Sequence, residues 1–332
     1  MIYWIGFLAC TSLIIYSGTK LSRYGDIIAE KSGLGRAWIG LILIASVTSL
    51  PELVTGVSSV AIVGVPDIAV GDVLGSCVFN MLILAMLDAF YRQMPLSTKA
   101  HYGHILSAGF CILLLSIVAL SIFAKESIPP LGWIGPYSIL FVLVYLIAMR
   151  IVYMFEKRKI AAFIKEKAVE LRYKEITLKT AIINYSINAV VVIIAATFLP
   201  KIGVGIAETT GLGQTFVGNI FIALSTSLPE VVVAIAAVKM DAVDLAIGNL
   251  FGSNLFDIFI LAIDDVFFLE GHIFAAVNTS HIISALSAIA MISVAILGLV
   301  YRTQQRKLLL SWDSIGIMLI FFLNLMLLYM FR

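Results

Sequence analysis

Charged residues are scarce in this chain of 332 residues: Asp, Glu, Lys and Arg make up 13% of it, whereas hydrophobic residues make up 61%. A soluble domain could not bury so much apolar surface, because folding hides only part of the surface of a chain. The scarcity of charge therefore excludes a soluble globular protein and indicates a chain that crosses a membrane many times. A formal net charge of +2 also argues against a nucleic-acid or polyanion partner.

Cysteine and histidine are scarce as well. The three cysteines, Cys10, Cys77 and Cys111, lie far apart in apolar segments, which fits neither a disulfide framework nor a cysteine-based metal site. The four histidines lie near the ends of predicted helices without the spacing of metal ligands, and we expect them at the membrane interface: His101, His104, His272 and His281. Because no apolar segment offers histidine ligands or a nucleophile paired with a base, we predict neither an enzyme nor a cofactor, and an intramembrane hydrolase is disfavoured.

Apolar segments long enough to cross a membrane are what the chain has in abundance. They fall at about 2–19, 37–63, 68–90, 103–124, 131–154, 178–198, 214–238, 242–268, 278–300 and 309–331. These segments predict an all-α membrane protein with ten transmembrane helices. The longest polar stretch, 156–177, divides the helices into two groups of five and is too short for a calcium-sensing domain.

Two short blocks occur twice in the sequence. Residues 45–54 (ASVTSLPELV) return at 223–232 (ALSTSLPEVV), and residues 71–80 (GDVLGSCVFN) return at 248–257 (GNLFGSNLFD). Two blocks kept in the same order at nearly the same separation indicate an internal duplication. We therefore predict a five-helix repeat over 1–155, a linker over 156–177 and a second five-helix repeat over 178–332, with the duplicated cores at about 38–85 and 216–262.

The distribution of basic residues predicts the orientation of the chain. All but three of the 22 Lys and Arg residues fall in loops on one side of the predicted membrane, the exceptions being Lys125, Lys201 and Arg332. The positive-inside rule makes that side cytoplasmic, with the 156–177 loop inside and both termini outside the cell, in a plasma membrane. Because each repeat has an odd number of helices, the second repeat is expected to be inverted relative to the first, as in many transporters.

Each copy of the first block places a proline and a glutamate in the middle of a predicted span. Pro51 and Pro229 lack an N–H and clash with the carbonyl four residues earlier, so the second and seventh helices should kink or unwind just before them. The freed carbonyls need a partner in a medium without water, and a cation is one such partner. Glu52 and Glu230 follow at a depth where a charged side chain costs roughly 2.5 to 3.5 kcal/mol.

The second block adds polar groups four residues apart on one helix face, and its glycines allow close approach to the broken helices. The oxygen-bearing side chains gathered in this way are Thr48, Ser49, Glu52, Ser76, Asn80, Thr226, Ser227, Glu230, Ser253 and Asp257. Such ligands suit Ca²⁺, Na⁺ or Mg²⁺, and unwound backbone favours Ca²⁺ over Mg²⁺. Three Na⁺, or one Ca²⁺ with a proton, would neutralise the three carboxylates. A loaded site would therefore cross the membrane more readily than an empty one, as exchange requires.

These blocks resemble the signature repeats of the calcium/cation antiporter superfamily, and within it those of the microbial sodium/calcium exchangers. The family's first block reads roughly Gly-Thr-Ser-x-Pro-Glu, and its second reads Gly-Asn-x-x-Gly-Ser-Asn-x-x-Asn/Asp. The resemblance implies that Glu52 and Glu230 are the central Ca²⁺ ligands and that Asn80 and Asp257 complete the central plane. It also implies flanking Na⁺ sites built by Ser49, Ser76, Ser227, Ser253 and the backbone of Ala45, Thr48, Ala223 and Thr226. Alternating access, in which the first and sixth helices slide across the other eight, is implied as well.

The sequence departs from that pattern in several places. Val47 and Ser225 stand where the family has glycine, and Asp72 and Cys77 stand where it has asparagine. Asp72 adds a fourth acid near the predicted site, and Asp257 opposite Asn80 breaks the internal symmetry. Any single hydroxyl could instead bond to its own helix backbone. Further acids near span ends are expected to be solvated, with an acidic mouth that concentrates cations as the alternative: Asp67, Asp88, Asp264, Asp265 and Glu270.

We therefore predict a secondary active antiporter that exchanges Na⁺ for Ca²⁺ by alternating access, with these ions as substrates and no obligate protein partner. An exchanger of Ca²⁺ or another divalent cation that is driven by H⁺ or depends on K⁺ is the alternative within this class. A cation channel with a similar acidic ring is the alternative outside it.

Overall fold

The computed structural model describes residues 2–31, 48–91, 94–166, 176–239, 243–303 and 310–331. Helices account for all regular secondary structure in these ranges, where the only β pairing is an isolated antiparallel bridge between Leu131 and Ile134. The prediction of an all-α protein is confirmed for this part of the chain.

Thirteen α-helices, numbered here in chain order, make up most of the described residues. They are α1 (Ile2–Lys31), α2 (Leu50–Ser58), α3 (Pro66–Phe90), α4 (Leu96–Lys99), α5 (His104–Phe123), α6 (Pro136–Glu166), α7 (Leu178–Thr210), α8 (Gln214–Val217), α9 (Ala223–Thr226), α10 (Leu228–Lys239), α11 (Val243–Phe267), α12 (His281–Tyr301) and α13 (Trp312–Met330). Two π-helical turns, Ser59–Val63 and Gly218–Ile222, continue α2 and join α8 to α9. Short 3₁₀ turns occur at Lys125–Ser127 and Ile273–Ala276.

Eight of these helices are long and apolar enough to cross a membrane, namely α1, α3, α5, α6, α7, α11, α12 and α13. A ninth span is formed if Gln214–Thr226 and Leu228–Lys239, which are bent by 45° at their junction, are taken together. The apolar helix Leu50–Val63 is shorter, and the first part of the predicted 37–63 span lies outside the described residues. The protein is a multi-pass membrane protein, and the predicted total of ten spans stays a prediction.

Helices α3 and α11 lie at the centre of the molecule. In each of them 78% of the apolar stretch that could cross the membrane is buried within the protein, compared with 28% for α6 and 33% for α13. Helix α6 instead exposes a stripe of large apolar side chains, as a lipid-facing helix does: Ile139, Leu140, Leu143, Leu146 and Ile147. The two helices that carry the repeated glycine and serine block are thus the most enclosed.

Helices α1 and α7 form a pair beside this centre. They pack along each other more extensively than any other two helices and share a hydrophobic cluster separate from the main core, with Phe7, Ile14 and Leu199 among its members. Helix α1 also passes directly over the break before α10, since a Cβ on Gly18 would lie 2.7 Å from Cγ of Pro229. The pair therefore covers one side of the interrupted helix.

Candidate cation site

Helix interruptions lie at both mid-span prolines. Helices α2 and α10 each begin one residue before a proline, Pro51 or Pro229. A proline there breaks no hydrogen bond of its own helix, because the first N–H groups of a helix have no partner within it. Ser49 (φ −86°, ψ 14°) and Ser227 (φ −81°, ψ 3°) depart from helical backbone just before each proline.

The two glutamates that follow the prolines are buried in the same way. Glu52 and Glu230 are each 1% exposed. Ser76 Oγ on α3 donates to Oε1 of Glu52 at 3.5 Å, and Ser253 Oγ on α11 donates to Oε1 of Glu230 at 3.4 Å. Each glutamate therefore meets the serine of its own repeat, through bonds long enough to be weak.

Other contacts join the two repeats at this point. Ser49 Oγ, from the first repeat, donates to Oε1 of Glu230 at 3.4 Å. Ser227 Oγ, from the second, donates to Ser76 Oγ at 3.0 Å, and Ser76 in turn donates to Glu52. The glutamates therefore belong to one polar cluster.

Several oxygens of the glutamates and of the other predicted ligands are buried without a hydrogen-bond partner among the described residues. They are Oε2 of Glu52, Oε2 of Glu230, Oδ1 of Asn80, and both carboxylate oxygens of Asp257. Buried polar atoms are rarely left in this condition in folded proteins. The cluster thus has spare capacity to accept hydrogen bonds or to coordinate a cation.

Close packing against the π-helical turn at Gly218–Ile222 holds the central helix α3 beside the interrupted helix of the second repeat. A Cβ on Gly75 would collide with the Asn219 carbonyl oxygen and would lie 2.6 Å from Cβ of Ala223. Only glycine leaves room for this crossing. Across the centre, Asn80 Nδ2 donates to Asn254 Oδ1 at 2.8 Å, so the two central helices are also joined directly.

Every predicted site residue except Ala45, which lies outside the described residues, is buried: Thr48, Ser49, Glu52, Ser76, Asn80, Ala223, Thr226, Ser227, Glu230, Ser253 and Asp257. Thr226 is directed elsewhere than the glutamates. Its hydroxyl donates to Oδ1 of Asp72 at 2.8 Å and also contacts the carbonyl oxygens of Ile222 and Ala223. Thr226 is thus a hydroxyl that bonds in part to the backbone of its own helix, which was the alternative to a role in cation binding.

Sequence reasoning did not single out Asn254. It follows the serine of the second block, at the position of Cys77 in the first, and its hydrogen bond with Asn80 could have been sought there.

Within the described ranges, no group of three or more His, Cys, Asp or Glu side chains is arranged to hold a metal ion. A cation at this place would have to draw on hydroxyl, amide and backbone oxygens together with the carboxylates.

The acids near the span ends are mostly not solvated, contrary to expectation. Asp88 is 1% exposed, and Asp264 and Asp265 are fully buried, whereas Glu270 is exposed. Asp88 accepts from the backbone N–H groups of Leu96 and Ser311, and Asp265 accepts from those of Ile273 and Gly135. A carboxylate placed to bind otherwise unpaired backbone N–H groups is better buried than hydrated, so Asp88 and Asp265 anchor loops.

Three of the four histidines, His104, His272 and His281, are buried within the protein, and their position at the membrane interface stays a prediction. His281 Nε2 lies 2.9 Å from Oδ1 of Asp67, and His104 Nε2 lies 3.0 Å from Oδ1 of Asp244. Each pair fastens the start of a central helix to a helix of the other repeat. Sequence spacing could not reveal this, since the partners lie more than a hundred residues apart.

A membrane protein whose interrupted helices present buried carboxylates beside two enclosed central helices belongs to the class of secondary ion transporters. The family model described as "Sodium/calcium exchanger protein" matches residues 2–154 and 182–330, so the chain belongs to this family of membrane ion exchangers and is a transporter rather than an enzyme.

Similar proteins are found in bacteria and archaea. The chain is 27% identical over 249 residues to the inner membrane protein YrbG of Escherichia coli (strain K12), covering 75% of this chain and 74% of that protein. It is 24% identical over 269 residues to the sodium/calcium exchanger MaX1 of Methanosarcina acetivorans, covering 72% and 75%. The crystal structure of the H⁺/Ca²⁺ exchanger CAX shares the fold, with a TM-score of 0.71 and 15% identity over 98% of this chain and 82% of that one.

Proposed function

We propose that this chain exchanges Na⁺ for Ca²⁺ across the membrane by alternating access. The observation that carries the proposal is the polar cluster in which Ser49 reaches Glu230 and Ser227 reaches Glu52 through Ser76. In the described residues, no Lys or Arg forms an ion pair with either glutamate. Two carboxylates that share a buried cluster need positive charge to balance them, and a bound cation supplies it.

Within this proposal, Glu52, Glu230, Asp257 and Asn80 form the central Ca²⁺ site. The unpartnered oxygens of these four residues support the assignment, because a bound cation would give these buried oxygens the partner that they lack. Na⁺ would bind at flanking sites built by hydroxyl groups and backbone carbonyls of residues close by: Ala45, Thr48, Ser49, Ser76, Ala223, Thr226, Ser227 and Ser253.

The proposed architecture is ten transmembrane helices in two inverted repeats, over 1–155 and 178–332. Contacts that recur in reversed form at a spacing of 177 residues support it. Lys125 Nζ donates to the carbonyl of Val277 at 2.6 Å, and Arg302 Nη2 donates to the carbonyl of Ala100 at 2.8 Å. Reciprocal pairs of this kind are what a two-fold axis between the halves produces. The separate matches of the family model to residues 2–154 and 182–330 also support this division.

The proposed orientation has both termini outside the cell and the 156–177 loop in the cytoplasm, on the strength of the basic residues. Helices α1 and α7, with their own hydrophobic cluster, would be the pair that slides across the rest. A surface between two separate clusters can shift without opening the main core.

The proposal is tested with purified protein in lipid vesicles by following Na⁺-gradient-driven ⁴⁵Ca²⁺ flux. Glu52→Gln or Glu230→Gln keeps the size of the side chain but removes its charge, and each should abolish flux. Glu270→Gln changes an exposed glutamate and should leave flux as in the wild type. Normal flux in either of the first two variants would refute the assignment.

The coupling ion is tested in the same vesicles. A pH jump without Na⁺ should drive no ⁴⁵Ca²⁺ uptake if Na⁺ is the coupling ion, and uptake under that condition would assign H⁺ instead. Added K⁺ should leave the Na⁺-driven flux unchanged, because a K⁺-dependent exchanger would require it. Flux with no counter-ion requirement would indicate a channel.

A further inference from the structure

Asp264 on α11 has no role in the mechanism proposed above. Its side chain is fully buried, and neither of its carboxylate oxygens has a hydrogen-bond partner among the described residues. It follows Asp257 by seven residues, which places both aspartates on one face of the helix, about 10 Å apart along the axis. The equivalent position in the first repeat is Leu87, so the internal duplication does not account for Asp264.

The carboxyl group of Asp264 rests against a glycine of the interrupted helix. A Cβ on Gly56 would lie 2.5 Å from both Oδ1 and Oδ2 of Asp264, so a larger residue there would displace the carboxyl. Gly56 follows Glu52 by four residues, one turn along α2. Asp264 and Gly56 therefore form the layer next to Glu52 and Asp257, toward the end of α11.

The charges that act on Asp264 are negative. Asp265 adjoins it and is already satisfied by hydrogen bonds from Gly135, Ser138 and Ile273, and the helix α3 packed against α11 carries a further buried acid, Asp72. The other helices packed against α11 carry titratable groups that contact residues other than Asp264. These groups are Glu52 on α2, His104 and Cys111 on α5, Tyr137 and Tyr145 on α6, and Glu230 on α10. No Lys or Arg in the described ranges forms an ion pair with Asp264.

An ionised Asp264 would thus be a buried anion among anions, which is an unfavourable arrangement. Ca²⁺ or Na⁺ would need several oxygen ligands to relieve it, whereas no hydroxyl or amide group of the described residues bonds to the carboxylate of Asp264, in contrast to the serines beside Glu52 and Glu230. A proton needs only one carboxylate. We propose that Asp264 is a proton-binding site on the ion path, which binds a proton when the layer is closed and releases it to water when the path opens at the end of α11.

This inference rests on the proposed cation path through Glu52 and Glu230, and under the proposed orientation the proton is exchanged with the extracellular side. Once released, the proton leaves a negative charge one layer from the central cluster, where it favours entry of a cation. Proton binding removes that charge. The rate of exchange is therefore expected to depend on extracellular pH through Asp264.

The test compares Asp264→Asn with the wild type and with Asp313→Asn. Asp313 on α13 is a matched control, because it is 6% exposed and also lies against a glycine, Gly298. ⁴⁵Ca²⁺ flux driven by Na⁺ is measured as the pH on the α11-end side is varied. We expect the flux of the wild type and of Asp313→Asn to fall in a titration step as the pH is lowered. In Asp264→Asn this step should be missing, and the flux should stay near the low-pH level of the wild type, because asparagine is neutral like the protonated acid.

Infrared spectroscopy of the purified protein gives a readout that does not need transport. The band of a protonated carboxyl group should disappear in Asp264→Asn, and its titration should shift in Gly56→Ala, in which the carboxyl is displaced. An unchanged band and an unchanged pH profile in Asp264→Asn would overturn the inference. If the wild type carried no cation flux while the band still assigned a proton to Asp264, the proposed function would fail and the proton site would stand.

Discussion

Asp67 and Asp244 begin the two central helices, 177 residues apart, and each is bound by a histidine of the other repeat. Those histidines, His281 and His104, are again 177 residues apart. Asp67 also accepts from the backbone N–H of Asn278, and Asp244 from that of His101, with the same spacing. At the edges of the bundle the two repeats thus make the same contacts, in reversed order.

The residues near the proposed ion site differ instead. Asp72 in the first repeat corresponds to Asn249 in the second, Asn80 to Asp257, Cys77 to Asn254, and Leu87 to Asp264. The edge contacts hold helices that must keep the same crossing in both halves, so the same residues serve twice. The proposed site gathers charged groups around one place, where an acid from either half can act on the same bound ion. The two halves therefore share a framework of contacts but differ in the charged groups near the proposed site.

The largest effect expected from this division concerns Asp257. Asp257→Asn removes the acid of the Asn80 and Asp257 pair and should lower Ca²⁺ affinity by at least about 100-fold. Loss of a group that only hydrogen-bonds to a metal ligand already costs up to about 100-fold in affinity, and loss of a charged ligand should cost no less. Adding Asn80→Asp to this variant moves the acid to the first repeat and should recover part of the affinity. Calorimetric titration of Ca²⁺ checks both variants, and equal affinity in Asp257→Asn and the wild type would contradict a role in the site.

Much of the fold could be predicted from sequence because apolar length and mid-span prolines act locally. The breaks at Pro51 and Pro229 follow from covalent chemistry, and the pairing of Ser76 with Glu52 follows from helical spacing in the repeated blocks. The burial of Asp88 could not be predicted in this way. Its partners include the N–H of Ser311, more than two hundred residues away, and distant backbone donors leave no pattern in the sequence.

A smaller effect, on stability, is expected where the central helix α3 crosses the π-helical turn. Gly75→Ala introduces a methyl group that collides with the carbonyl of Asn219, and such overpacking should destabilise the protein by about 1–3 kcal/mol. Gly109→Ala is the matched control, because the added Cβ would meet no atom within 4 Å apart from its chain neighbours and the backbone of its own helix, and it should stabilise α5 by about 0.5–1 kcal/mol. Thermal unfolding in detergent compares them, and equal melting temperatures would show that this crossing can relax.

The smallest expected effect separates the two histidine and aspartate pairs. The His281 side chain is fully buried and that of Asp67 is 22% exposed, whereas His104 and Asp244 are 9% and 60% exposed. A solvent-exposed hydrogen bond contributes less to the free energy of unfolding than a buried one. A double-mutant cycle with Ala should therefore give a coupling energy of about 1–3 kcal/mol for His281 and Asp67 and under about 1 kcal/mol for His104 and Asp244. His281 also has Asn219 beside its Nδ1, 3.3 Å away, which ties this pair to the interrupted helix. Equal couplings in chemical denaturation would mean that burial does not distinguish the two edges.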